Sequence, residues 1–172
     1  MKFQNEDFEQ KTFKNIDFTD KNLSNTIFID CIFLKCNFSN TTIDNTRFQN
    51  TTFEKCKIMG INFELSSRFL FSFIFNECLI STSVFSNLKI KDTKFLDCQI
   101  NNCDFFGTDL TNCDFKKSDL EGTRFDDTNM TNASFREATN YIFNPDKNLL
   151  KKTKFSYPEV VSLLKTYDIV ID

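Results

Sequence analysis

At 172 residues the chain has room for one domain with a substantial core, and a net charge of −3 gives no whole-molecule attraction for nucleic acid. Histidine and tryptophan are absent, glycine and proline number three and two, and phenylalanine supplies 23 residues, a composition that excludes a disordered or loop-rich chain. No apolar run is long enough to span a membrane and "MKFQNEDFEQ" is no signal-peptide core, so a cytoplasmic protein without membrane attachment is expected.

From residue 3 a large apolar side chain returns at every fifth position: Phe3, Phe8, Phe13, Phe18, Leu23, Phe28, Phe33, Phe38, Ile43, Phe48, Phe53, Ile58 and Phe63. A helix calls for a period near 3.6 and a strand for 2, so neither buries these residues. Residues 64–74, "ELSSRFLFSFI", break the frame, with Phe69, Phe71 and Phe73 alternating as in an extended segment. Two readings fit this stretch, a corner adjustment between two stacks of coils or an apolar patch offered to a partner. The frame slips by two and resumes at Phe75, Ile80, Phe85, Ile90, Phe95, Ile100, Phe105, Leu110, Phe115, Leu120, Phe125, Met130 and Phe135.

Two further position classes follow this frame. Two residues before the large one stand small side chains, and all seven cysteines (31, 36, 56, 78, 98, 103 and 113) belong to that class. Without CxxC spacing or histidine they read as reduced interior fillers, and no metal or other cofactor is expected. Two residues after the large one stand mostly Asn, Asp or Gly, which are turn formers. Each five-residue unit is then a short extended step and a corner, and four corners close a square of twenty residues. That construction predicts columns at a spacing of twenty: Phe75, Phe95, Phe115 and Phe135 in one, Phe85, Phe105 and Phe125 in the column opposite.

"CDFKK", "SDLEG" and "TNMTN" resemble the pentapeptide-repeat family, whose unit is written A(D/N)LXX with Phe often replacing Leu. The resemblance covers residues 1–139 and implies an all-β solenoid, a right-handed quadrilateral β-helix of about six to seven coils.

Residues 140–172 change character and are expected to form a separate capping segment. Ser156 and Glu159 fit a capping box, Phe155 and Val160 a hydrophobic staple, and Pro158 a first turn. An α-helix over about 157–168 would carry Val160, Leu163, Leu164 and Tyr167 on one face. Such a face can cap the last coil and pair with a symmetry mate, so a homodimer is expected, as in family members that dimerise through C-terminal helices.

An enzyme is not expected. Asp104, Asp109, Asp114 and Asp119 are five residues apart and should lie on successive faces, where they cannot converge as an acid–base pair. With Glu121 and Asp126 they are instead candidate partner-facing acids. Quinolone-resistance members of the family imitate DNA and bind type II topoisomerases, so the resemblance implies DNA gyrase or topoisomerase IV as partner, with no direct binding of nucleic acid. Residues 1–63 hold eight acidic and eight basic residues, and residues 64–139 twelve and eight. Over the roughly 18 Å of that second stretch duplex DNA carries about ten charges, so mimicry would have to rest on selected faces. The alternative is a scaffold with an unrelated partner, for which Ile27, Ile29, Ile32 and Leu34 form a candidate outward apolar patch.

Overall fold

In the computed structural model, which describes residues 3–68, 71–167 and 169–170, the chain winds as a parallel β-solenoid of about seven coils. Each coil has four faces, and one large residue per face points into the interior. The first face holds Leu23, Ile43, Phe63, Phe85, Phe105 and Phe125, and the third holds Phe13, Phe33, Phe53, Phe75, Phe95, Phe115, Phe135 and Phe155. Phe8, Phe28 and Phe48 line the second face below the frame break, and Ile90, Leu110 and Met130 line it above. Phe18, Phe38, Ile58, Ile80, Ile100 and Leu120 line the fourth.

The rings of the third face stack without interruption from Phe13 to Phe155, with centroids 4.9–5.4 Å apart. That spacing follows from the strand separation of about 4.8 Å, which sets one ring directly over the next. Stacked rings also lie 4.5, 4.7 and 5.2 Å apart along Phe63, Phe85, Phe105 and Phe125. Rings from different faces meet edge-on, as Phe85 and Phe95 do at 5.9 Å and 89°, the arrangement that aromatic quadrupoles favour.

The frame break is a two-residue bulge in one corner. Register across it is 22, with Phe53 opposite Phe75 and Asn62 opposite Val84. The chain stays on the ladder through Ser67 N–H, which donates to Thr46 O, and is back on it at Ser72, whose N–H donates to Phe48 O. Ile61, Phe73 and Leu88, around the break, occupy positions that most units fill with a small residue, and all three are buried. Phe71 packs on Phe73 with centroids 4.3 Å apart. Phe69 lies outside the described residues.

Why the small position is restricted is visible in its hydrogen bonds. Thr26, Thr41, Thr46, Thr108, Ser118, Thr123, Thr128 and Thr153 each donate a hydroxyl to the carbonyl of the large residue 23 positions earlier, one coil below. Cys31, Cys36, Cys56, Cys103 and Cys113 aim their thiols at the same class of carbonyl, 3.0–3.6 Å away. A small side chain with a polar hydrogen therefore gives each buried carbonyl a partner, a second one where a backbone N–H already reaches it, as Thr26 N–H reaches Leu23 O. Glu6, Lys11 and Lys21 depart from the class, and among the described residues no carbonyl lies one coil below them. All seven cysteines are free and buried.

Strand pairing runs past residue 139, with Ser134 opposite Lys154 and Phe135 opposite Phe155. The closing helix, Glu159–Tyr167, is wound as a 3-10 helix and not as the expected α-helix. Its period of three aligns Glu159 with Ser162, which bond Asn140 N–H and Tyr141 O of the last coil at 2.7 Å each. The capping box does not form. Ser156 Oγ accepts from Glu137 N–H and Glu159 Oε1 from Asn140 N–H, so both side chains seal the solenoid's upper edge.

Candidate interaction surface

Corners and faces decide which side chains are free to meet a partner. At the corners outside the frame break the residue two after the large one takes a positive φ, from Asn5 at 62° through Gly122 at 68° to Glu137 at 57°. Amides stack there as ladders: Asn45 Nδ2 donates to Asn25 Oδ1 and Asn25 Nδ2 to Asn5 Oδ1. Gly122 sits where a Cβ would come within 2.3 Å of Asn102 Oδ1, so one residue type supplies the ladder rung and the other makes room for it.

Outside the regular strands, the residue before the large one has a conformational task when it is Asp or Asn. Asp104, Asp109, Asp114 and Asp119 each accept, through Oδ1, the N–H two residues on, at 2.9–3.1 Å. These are Asx turns, and they compete with strand pairing. Regular strands accordingly stop at Asn101 and return only at Ser134 among the described residues. A fourfold run of Asp before Phe or Leu thus turns a whole coil from strand to turn.

The candidate acids divide between opposite sides of the rod. Asp104 and Asp126 lie on the first face and Asp119 and Glu121 on the adjoining fourth, sharing an edge whose corner residues Thr82, Asn102 and Gly122 carry no charge. Asp109 and Asp114 lie on the second and third faces among lysines, and Lys91 Nζ is 3.3 Å from Asp109. Partial burial opposes ionisation of Asp109, yet hydrogen bonds from Thr111 and the charge of Lys91 hold its carboxyl below the ordinary aspartate value. Over residues 62–139 the outward positions flanking the large residues of the first and fourth faces hold five acids and one cation, while those of the second and third hold two acids and five cations. This segregation depends on register and was not available from the charge count.

On the acidic edge Arg124 stands directly above Asp104. Its Nε donates to Asp126 Oδ2 at 2.9 Å and its Nη1 lies 3.6 Å from Asp104 Oδ2. The guanidinium carbon is 4.8 Å from the centroid of the Phe106 ring.

Of the candidate apolar patch, Ile27 and Ile29 lie on the second face and Ile32 and Leu34 on the third. Ile32 is 41% exposed and the others are half-buried. Outward β-branched residues here coincide with the regular strands Ile27–Ile29 and Ile32–Leu34, as strand propensity requires. On the closing helix Leu163 is buried and Val160 packs on the core, whereas Leu164 and Tyr167 are 39% and 42% exposed. In a 3-10 helix Val160 and Leu163 share one row and Leu164 and Tyr167 the next, which splits the stripe read from α-helical spacing. A groove of about 370 Å³ separates the helix from the last coil and is lined by Glu121, Asn140, Glu159, Ser162 and Lys165 among others.

Among the described residues no group of three or more His, Cys, Asp or Glu side chains stands where it could hold a metal ion. No helix of the described residues is long and apolar enough to cross a membrane.

A four-faced parallel solenoid with αL corners every five residues defines a β-helix of stacked pentapeptides. A model of the pentapeptide repeat region matches residues 26–105, and a model of eight pentapeptide repeats matches residues 103–139. The chain belongs to the pentapeptide-repeat family. Two trypsin-treated forms of QnrB1, a plasmid-mediated fluoroquinolone resistance protein, superpose with TM-scores of 0.71 and 0.72 at 18% and 19% identity, over 99% of this chain and 92% of theirs. At that identity the likeness is one of fold. No curated protein matches the chain in sequence.

Proposed function

We propose that the chain is a non-enzymatic interaction rod that offers its acidic first–fourth edge to the cationic DNA-binding surface of a type II topoisomerase, DNA gyrase or topoisomerase IV, and so modulates quinolone sensitivity. The observation that carries this reading is the segregation of charge: Asp104, Asp119, Glu121 and Asp126 share one edge of the upper rod while its lysines lie on the other faces. A stiff rod with acid along one edge is the form in which a protein can occupy a duplex-binding groove. The fold shared with a fluoroquinolone resistance protein supports the same partner. The rod acts as a homodimer, because Leu164 and Tyr167 form an outward apolar row at the sealed end and an isologous pair would bury both copies.

A supercoiling assay with purified gyrase, with and without a quinolone, tests the reading. The chain should alter supercoiling or relieve the drug at micromolar concentration, and Asp119→Asn with Glu121→Gln should weaken the effect. No effect and no binding at tens of micromolar would overturn it. Leu164→Glu should convert a dimer to a monomer in sedimentation with the solenoid still folded, and a wild-type monomer would remove the dimer. The alternative partner, unrelated to topoisomerases, would dock on the apolar patch around the exposed Ile32. Ile32→Lys, which leaves the acidic edge intact, should not affect the gyrase assay.

A further inference from the structure

Two outward residues of the first face depart from the repeat without any need of the fold. Phe106 is the one aromatic residue among the described positions immediately following a large residue, where neighbouring coils carry Thr111, Glu121, Asp126 and Thr131. Arg124 stands where Asp104, Asp109, Asp114, Asp119 and Asn129 supply the Asx acceptor. The corner after Arg124 closes without that acceptor, through Asp127 N–H to Lys147 O and Thr128 N–H to Asn148 Oδ1 of the coil above. These two departures meet: the guanidinium lies over the Phe106 ring at 4.8 Å while its nitrogens engage Asp126 at 2.9 Å and Asp104 at 3.6 Å.

A ring below and a carboxylate on either side make a slot for a planar, forked cation, which suits a guanidinium better than an ammonium. We propose that Arg124 is an internal competitor in this slot, occupying the place that the acidic edge offers to an arginine of its protein partner. The inference rests on the reading of that edge as a docking surface and adds how it is regulated. Arg124 is 52% exposed and its two carboxylates 37% and 30%, and ion pairs so exposed contribute little to stability. Displacing Arg124 therefore costs the rod little, and the released guanidinium swings into solvent on its flexible stem. An incoming arginine regains the same ring and carboxylates. Docking is then an exchange of one guanidinium for another, and the resident one discriminates against weaker cations.

The test titrates the full-length chain at low salt with a fluorescent nona-arginine peptide, a nona-lysine peptide and DNA gyrase. Arg124→Gln should bind nona-arginine about three- to tenfold more tightly than wild type, the order expected when one near-surface charge pair is unmasked. The gain with nona-lysine should be smaller. Phe106→Leu keeps every charge and should reduce the preference for arginine over lysine. Urea midpoints of both variants should match wild type, which separates competition from a structural role. Unchanged or weaker nona-arginine binding by a folded Arg124→Gln overturns the inference. Should Arg124→Gln gain affinity for nona-arginine while neither protein binds gyrase, the topoisomerase reading falls and the competitor role stands. Gyrase bound equally by both proteins, with no gain for nona-arginine, removes the competitor role alone.

Discussion

Truncating one interior ring in mid-rod should cost far more than truncating one at the open end. Phe105 is fully buried, stacked between Phe85 at 4.7 Å and Phe125 at 5.2 Å, and edge-on to Phe95 at 5.9 Å and Phe115 at 6.1 Å. Phe105→Ala removes the transfer free energy of the ring and leaves a cavity that rigid coils cannot close, about 3–5 kcal/mol. Each aromatic pair contributes about 0.5–1.5 kcal/mol beyond burial, so the upper part of that range is expected. Phe8 is only half-buried and has one stacked neighbour, Phe28 at 5.4 Å, so Phe8→Ala should cost about 1–2 kcal/mol. Equilibrium urea unfolding measures both through the midpoint and slope. Coils touch only their neighbours, so a lower slope in Phe105→Ala would mark the two halves unfolding separately. A loss below about 1 kcal/mol, or one no larger than that of Phe8→Ala, would show that the stacked columns do not carry the stability.

Thr82 holds φ at 47°, a costly place for a β-branched residue, and Thr82→Asn should raise stability by about 0.5–1 kcal/mol in thermal melts. Asp119 accepts from Glu121 N–H at 3.1 Å and Asn140 Nδ2 at 2.9 Å, so Asp119→Ala should cost about 1 kcal/mol in urea. Asp119→Asn keeps the acceptor and should stay within about 0.5 kcal/mol. Burial pushes the Cys103 thiol up to about 12, so native labelling at pH 8 should be slow and denatured labelling fast. The native thiol keeps a proton that the unfolded chain releases. Its contribution is therefore intact below about pH 8.5 and declines as pH rises toward about 12, and Cys103→Ser should flatten that decline.

The interior was legible in the sequence because its spacing is set by geometry: one large residue per face and a small one two places earlier. The corners were legible only in part. Lys35, Lys55, Thr82 and Lys117 take the same positive φ as the Asn and Asp corners, and nothing in their side chains announces it, because neighbouring coils above and below impose the turn. The closing helix was found, but its type was not. α-Helical spacing fits Val160, Leu163, Leu164 and Tyr167 equally well, and only the last coil, through Asn140 N–H and Tyr141 O, selects a period of three. Likewise Ser156 and Glu159 have the spacing of a capping box but bond to Glu137 and Asn140 N–H, because open solenoid donors lie closer than their own helix.

What remains free after the fold is satisfied indicates where function must be written. The large and small positions face inward, the αL position makes the corner, and an Asp or Asn before the large residue is bound to its own turn. Within a unit such as Asp104–Phe105–Phe106 only the residue after the large one has no conformational task. Asp104 and Asp119 serve the turn and the surface together, so their conservation of type would follow from folding alone. Phe106, Glu121 and Asp126 occupy the unassigned position, and Arg124 has exchanged its turn for a contact with Asp104, Asp126 and the Phe106 ring. Substitutions at these four should therefore separate from substitutions at Asp104 and Asp119: they should change binding with little change in stability, whereas the two aspartates should affect both. An acidic edge that acted only as solvated surface would show no such separation.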